Sequence, residues 1–154
     1  MRARNRLCLS MLLGASALAT GAAIAAEPSM AAGECFASAF KAGDADAVSM
    51  CYAENAVLWF PGGPMAQGRK AIRDGFAGFF SGVTITEIAM TPLGQEAVGD
   101  AQASWGTYAI SMEDKATHAV TIERGRYTDV QKLIDGRWQY IVDHPSDDPA
   151  PAGQ

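Results

Sequence analysis

The chain has 154 residues, enough for one compact domain with a short appendage and too few for a two-domain enzyme. Nearly half of it (49%) is apolar, 19% is charged, and acids outnumber bases by five. That composition excludes disordered and fibrous classes and argues against a nucleic-acid partner.

The charge is unevenly spread. Arg2, Arg4 and Arg6 crowd the first six residues, and no acid precedes Glu27. An apolar stretch from Leu7 to Ala19 follows, then the small-residue ending Ala23-Ile24-Ala25-Ala26, the three-part pattern of a secretory signal peptide over residues 1–26. The apolar core is shorter than the ~20 residues of a membrane-spanning helix. The expectation is cleavage after Ala25 or Ala26, a periplasmic or secreted product, and no membrane partner thereafter. Removing those residues leaves 128, with eight more acids than bases and an even cysteine count, Cys35 and Cys51. In an oxidising compartment these two are candidates for a disulfide; the alternative is two small buried hydrophobes on packed helices.

Along the body, Phe36, Ala39 and Phe40 repeat at helical spacing between Met30 and Lys41, and Gly43 stops that helix. Asp44 is placed to cap a second short helix with Val48, Cys51 and Tyr52 on its apolar face. Ala56 to Phe60 reads as a strand running into Pro61-Gly62-Gly63-Pro64. Gly68 to Phe80 returns to helical spacing, with Ile72, Phe76 and Phe79 or Phe80 inward and Arg69, Lys70, Arg73 and Asp74 outward. From there the pattern is all strand: Thr84 to Thr91, Ala101 to Met112, Ala116 to Leu133 and Arg137 to Asp143, with turns at Gly94, Gly99-Asp100, Glu113-Asp114-Lys115 and Asp135-Gly136. Helices first and strands after predict an α+β domain over 27–144, three helices packed on a curved mixed or antiparallel sheet. Residues 145–154, rich in Pro and Asp, are expected to form a disordered tail.

The segments Phe40-Lys41-Ala42-Gly43-Asp44-Ala45-Asp46-Ala47-Val48, Tyr52-Ala53-Glu54-Asn55-Ala56-Val57, Pro61-Gly62-Gly63-Pro64 and Gly68-Arg69-Lys70-Ala71-Ile72 resemble the cone-shaped family of nuclear transport factor 2 and ketosteroid isomerase. Gly125-Arg126-Tyr127-Thr128-Asp129-Val130 and Asp135-Gly136-Arg137-Trp138 resemble its SnoaL-like branch, the DUF4440 type. The resemblance, over Met30 to His144, implies an apolar cavity between the helices and a curled sheet. It specifies no activity, because this cone carries isomerases, dehydratases, cyclases and non-catalytic modules alike.

A steroid isomerase needs a carboxylate base, a tyrosine and a protonated aspartic acid. Laying the family pattern on this chain puts Phe60 at the base position, Phe36 at the tyrosine position and Thr128 at the acid position, so isomerase chemistry of that kind is not expected. Strand alternation instead sends His118, Val120, Ile122, Arg124, Arg126, Thr128 and Val130 to one face, which in the family lines the cavity, joined by Gln139, Ile141 and Asp143. Trp138, Tyr140 and Val142 point the other way, and Trp59 and Phe60 stand at the rim. Arginine binds carboxylates bidentately, so Arg126, helped by Arg124, is the expected clamp for a small hydrophobic anion. The competing role for Arg126 is an internal ion pair with Asp143.

Three functions remain open: a binding protein without turnover, a lyase, isomerase or cyclase using Asp143 with His118 or Arg126, and an assembly module forming a homodimer through the outer sheet face. No cofactor motif is present. Two histidines and two helix-borne cysteines without close ligand spacing fall short of a metal site.

Overall fold

The computed structural model describes residues 31–149; the predicted signal peptide and the last five residues lie outside them. Among the described residues, three helices, α1 (Ala32–Lys41), α2 (Ala45–Met50) and α3 (Arg69–Gly82), pack on six strands. The strands are β1 (Tyr52–Trp59), β2 (Met65–Gln67), β3 (Val83–Val98), β4 (Ala101–Asp114), β5 (Val120–Ile134) and β6 (Arg137–Asp147), in the order β2-β1-β6-β5-β4-β3. All neighbours are antiparallel except β1 and β6, which makes the sheet mixed.

Local chemistry sets the helix ends. Gly43 takes a left-handed φ of 66° and closes α1, and Asp44 caps α2 by accepting the Ala47 amide at 2.9 Å. Tyr52, expected on the second helix, begins β1 instead, directly after Cys51. Cys51 is joined to Cys35 of α1 by a disulfide. The core is dominated by rings: Phe36 and Phe40 from α1 meet Phe76, Phe79 and Phe80 from α3, with Phe40 and Phe80 centroids 5.2 Å apart.

The long strands curl, and glycines show where. Gly106 of β4 pairs with Tyr127 of β5, and Tyr108 of β4 pairs with Gly125 of β5. Each tyrosine lies across the opposite glycine: a Cβ on Gly106 would sit 2.6 Å from the Tyr127 hydroxyl, and one on Gly125 would sit 2.5 Å from the Tyr108 ring. Only glycine permits this crossing, the aromatic covering of a strand glycine. Gly94, predicted as a turn, lies within β3 under the ring of Trp105; the irregularity there is a register shift between Pro92 and Gly94.

The expected disordered tail from residue 145 is also corrected. Pro145, Ser146 and Asp147 continue β6 opposite Tyr127, Arg126 and Gly125. Pro145 lies beyond Asp143, the last β6 residue paired with β1, so at that point β6 has a partner strand on one side only.

The bridge closes a loop with a sequence separation of 16, and a loop of that size restrains the unfolded chain by about 3 kcal/mol. Replacing both Cys35 and Cys51 by serine is therefore expected to lower unfolding free energy by roughly that amount. Urea titration of the variant beside the oxidised parent checks it, and reduction of the parent should add 2 Da to its mass.

Candidate functional site

A cavity of about 280 Å³ opens between the helices and the concave face of the sheet. Its walls are Phe36 and Phe40 of α1, Leu58 of β1, Phe60 just after it, Phe76 and Phe79 of α3, and Ile88, Met90 and Ile110 of the outer strands. The ring of Phe60 fits because Gly75 of α3 has no side chain; a Cβ there would lie 2.6 Å from the ring. Its polar lining comprises Tyr52, Tyr108, Tyr127 and Tyr140 with Glu123, Asp143 and Asp147. No lysine or arginine of the described residues lines it.

Among the acids of the lining, Asp143 is buried, and its Oδ2 accepts a 2.7 Å hydrogen bond from the Tyr52 hydroxyl. Tyr52 is fully buried, and its backbone is held from two sides. The disulfide fixes the preceding residue, Cys51, and Arg69 at the start of α3 donates through Nε and Nη2 to the Tyr52 carbonyl at 3.1 and 2.9 Å. Arg69 is thus half-buried beneath β1, not on the outward face that helical spacing assigned to it.

Burial pushes the Asp143 carboxyl up to about 7; the Tyr52 hydrogen bond pulls it down, and the neighbouring Asp129 carboxylate pushes it further up. Burial, reinforced by Asp143, likewise raises the Tyr52 phenol well above its ordinary value, so Tyr52 acts as a hydrogen-bond donor and stays protonated. At the mouth, the Tyr108 hydroxyl donates to Asp147 Oδ1 at 2.8 Å, and burial followed by Asp147 raises Glu123.

The structure separates the residues that the sequence brought together. Asp143, Phe36 and Phe60 line the cavity. Arg126 does not: its side chain is 60% exposed and its Nε pairs with Asp148 at 3.1 Å on the outer face. Arg124 and Thr128 are exposed on that same face, and Arg126 makes no ion pair with Asp143. His118 sits in the turn between β4 and β5 with φ 58°, exposed, bonded through Nδ1 to Glu113 at 2.7 Å, so no Asp143–His118 pair exists. Trp59 is on the convex side with its ring 5.7 Å from that of His144, and Ile141 packs against the core without lining the cavity.

One cause accounts for β5. Its cavity-facing residues are the odd ones, Glu123, Gly125, Tyr127 and Asp129, which look polar, while the even set contains Val120, Ile122 and Val130. Alternation read as hydrophobic-inside therefore chose the wrong face, since Val120 and Ile122 are 64% and 59% exposed. Next to Thr128, which the family pattern put at the acid position, Asp129 faces inward; it is 2% exposed and raised to about 6 by burial, against the downward pull of hydrogen bonds from Ser104 and Gln131.

In β6, Val142 pairs with Val130 and Tyr140 with Gln131, leaving Ile141 in a bulge. The extra residue turns both Tyr140 and Asp143 to the cavity, against the alternation that put Tyr140 outside. Tyr52, Tyr108, Tyr127, Tyr140, Glu123, Asp129 and Asp147 were not singled out as site residues from the sequence. The repeat Gly125-Arg126-Tyr127 beside Gly106-Thr107-Tyr108 is the signal that could have found the tyrosines.

The fold and the cavity define the class: an α+β cone with an interior cavity. The SnoaL-like domain model matches residues 34–141, and the chain belongs to that family. No curated protein sequence matches it. Among solved structures it is similar to a ketosteroid isomerase-like protein from Erwinia carotovora atroseptica, at 23% identity and a TM-score of 0.69, over 77% of this chain and 92% of that one. A candidate dehydratase of the NTF2-like family from Streptomyces avermitilis superposes with a TM-score of 0.64 at 16% identity, over 77% of this chain and 93% of that one. A conserved protein from Planctomyces limnophilus gives 0.68 at 18% identity, over 77% and 91%. These likenesses show the fold, the α+β cone that those proteins share.

The raised carboxyl has a consequence for stability. An unfolded aspartate ionises near its ordinary value of about 4, the folded Asp143 only near 7, so the folded state holds the extra proton between them. Stability is therefore lost as pH rises from about 4 to about 7 and then levels off. Asp143→Asn removes that dependence. Its unfolding free energy relative to the parent is expected to improve by up to about 4 kcal/mol between pH 4 and pH 8, as read from urea titrations at both. A difference flat with pH would contradict the raised ionisation.

Proposed function

We propose that the protein is an exported enzyme of the lyase or isomerase type, transferring a proton within a small, mostly apolar, uncharged molecule that carries a carbonyl or hydroxyl group. The observation that carries this reading is the Tyr52–Asp143 pair at the cavity wall, a carboxyl ionising at about 7 and held by a 2.7 Å hydrogen bond. A group poised near neutrality can both take and return a proton, which is what general acid–base catalysis asks of it. The aromatic walls supply binding by apolar contact. Retention of an anionic ligand by Arg126, the first reading from the sequence, loses support because that side chain pairs with Asp148 outside the cavity.

In this mechanism Asp143 as carboxylate removes a proton from the substrate, Tyr52 keeps the carboxyl oriented, and the resulting carboxylic acid delivers the proton to a second atom or to a leaving hydroxyl. Tyr127 and Tyr140, whose hydroxyls have no hydrogen-bond partner among the described residues, are available to donate to a developing oxyanion. Export is part of the proposal, supported by the basic and apolar start of the chain and by a disulfide, a bond that persists in oxidising compartments. Pairing of two copies through the outer sheet face is proposed from the exposed Trp105, Val120 and Ile122 on it.

The chemistry is tested with a probe acid. Exchange of the α-protons of 2-tetralone in D₂O, followed by proton NMR, should be accelerated by the protein with an apparent pKa near 7. Asp143→Asn should slow it about 100-fold or more while retaining ketone binding, read by quenching of protein fluorescence. Equal exchange rates in parent and variant would remove Asp143 from the mechanism.

A further inference from the structure

A second chamber, about 580 Å³, lies beside the first and shares Met90, Tyr127 and Tyr140 with it. It is bounded by the start of α1, by Pro92 to Gln95 of β3, and by Ser104, Asp129 and Gln131 of the sheet. Of its lining, the acid/base reading above uses only the shared Tyr127 and Tyr140.

Its chemistry is unbalanced. Asp129 is 2% exposed, and both hydrogen bonds it accepts, from Ser104 Oγ at 2.6 Å and Gln131 Nε2 at 3.3 Å, fall on Oδ1. Oδ2 has no partner among the described residues. The hydroxyls of Tyr127 and Tyr140, side chains more than nine-tenths buried, have none either. Yet no fully enclosed side-chain oxygen or nitrogen of the described residues lacks a partner. These three oxygens therefore reach open space; all three residues line this chamber, and Tyr127 and Tyr140 border the first cavity as well. No described lysine, arginine or histidine lies within ion-pair distance of Asp129, and the other charged group in the lining, Glu34 at the rim, is also an acid.

We propose that this chamber is a second binding site, for the ammonium group of a small primary amine with a short apolar body. An ammonium brings three donors and one positive charge; Asp129 Oδ2 and the two phenolic oxygens offer three acceptors and one negative charge. A buried carboxylate without a counter-ion is costly, so a ligand that supplies the cation gains what the protein does not provide. A carboxylate ligand is repelled by Asp129 and Glu34. An alcohol matches the acceptors with one donor and leaves the charge uncompensated. The apolar body rests on Met90, Pro92 and Leu93.

Binding of n-hexylamine, 1-hexanol and hexanoate to the purified chain by isothermal calorimetry at pH 7.5 tests this. Hexylamine is expected to bind about tenfold or more tighter than hexanol, and hexanoate more weakly than either. Asp129→Asn should abolish the preference for the amine, while Asp143→Asn should leave it intact, which separates this site from the proton-transfer cavity. The double variant Tyr127→Phe, Tyr140→Phe keeps both rings and should weaken the amine by about tenfold, so the test survives if Asp129→Asn does not fold. Equal affinity for amine and alcohol, or a preference lost in Asp143→Asn and kept in Asp129→Asn, overturns the proposal.

Discussion

The cavity depends on a single packing device, the reciprocal crossing of Tyr108 over Gly125 and Tyr127 over Gly106 on the paired strands β4 and β5. A tyrosine standing upright on the concave face would fill the space between sheet and helices. Laid across a glycine of the adjacent strand, it covers that strand's backbone, and the Tyr108 hydroxyl reaches Asp147 of β6. The two crossings sit side by side, so one patch of sheet becomes a thin wall of rings, with room above it for a ligand. The same wall is where the two chambers meet, because Tyr127 borders both.

On the next two strands of the same sheet, the chain fixes one polar pair with unusual thoroughness. Cys51 is tied to α1, Arg69 grips the Tyr52 carbonyl with two donors, and the Tyr52 hydroxyl reaches Asp143 across the parallel pairing of β1 and β6. Three separate elements are spent on the placement of one phenol. A carboxyl buried among aromatic rings would otherwise be free to turn toward water; held by Tyr52 it stays in the cavity, where exclusion of water sets its ionisation.

Much of the fold was legible in the sequence because its signals are local. Gly43 and Asp44 mark the junction of the first two helices, Ile72, Phe76 and Phe80 give α3 its buried face, and Asp135-Gly136 turns β5 into β6. The site was legible at Phe36 and Phe60, where position needed no long count along a strand, and at Asp143, which alternation along the last strand also put inside. Along β5 the count has two solutions, and hydrophobic alternation prefers the one with Val120, Ile122 and Val130 inside. The molecule takes the other, because a cavity is the one interior surface where tyrosines and carboxylates face in and aliphatic residues can face out. In β6 the bulge at Ile141 changes the face midway, a feature set by pairing with β5 and invisible in β6 alone. The β6 extension through Pro145 was hidden by composition, since proline and aspartate read as a tail until a partner strand is known.

The error in register has a chemical corollary. Shifting β5 by one residue removes Arg126 from the interior and brings in Asp129, directly opposite Asp143 in the pairing of β5 with β6. Like charges so placed oppose each other's ionisation, and Asp129 is among the groups that raise Asp143. The pair thus favours a state in which one carboxyl keeps its proton. Because Asp129 lines one chamber and Asp143 the other, charge gained or neutralised on one side of the tyrosine wall changes the ease of ionisation on the opposite side. An arginine in that place would have frozen Asp143 as a permanent carboxylate; a second aspartate leaves it able to exchange a proton near neutral pH.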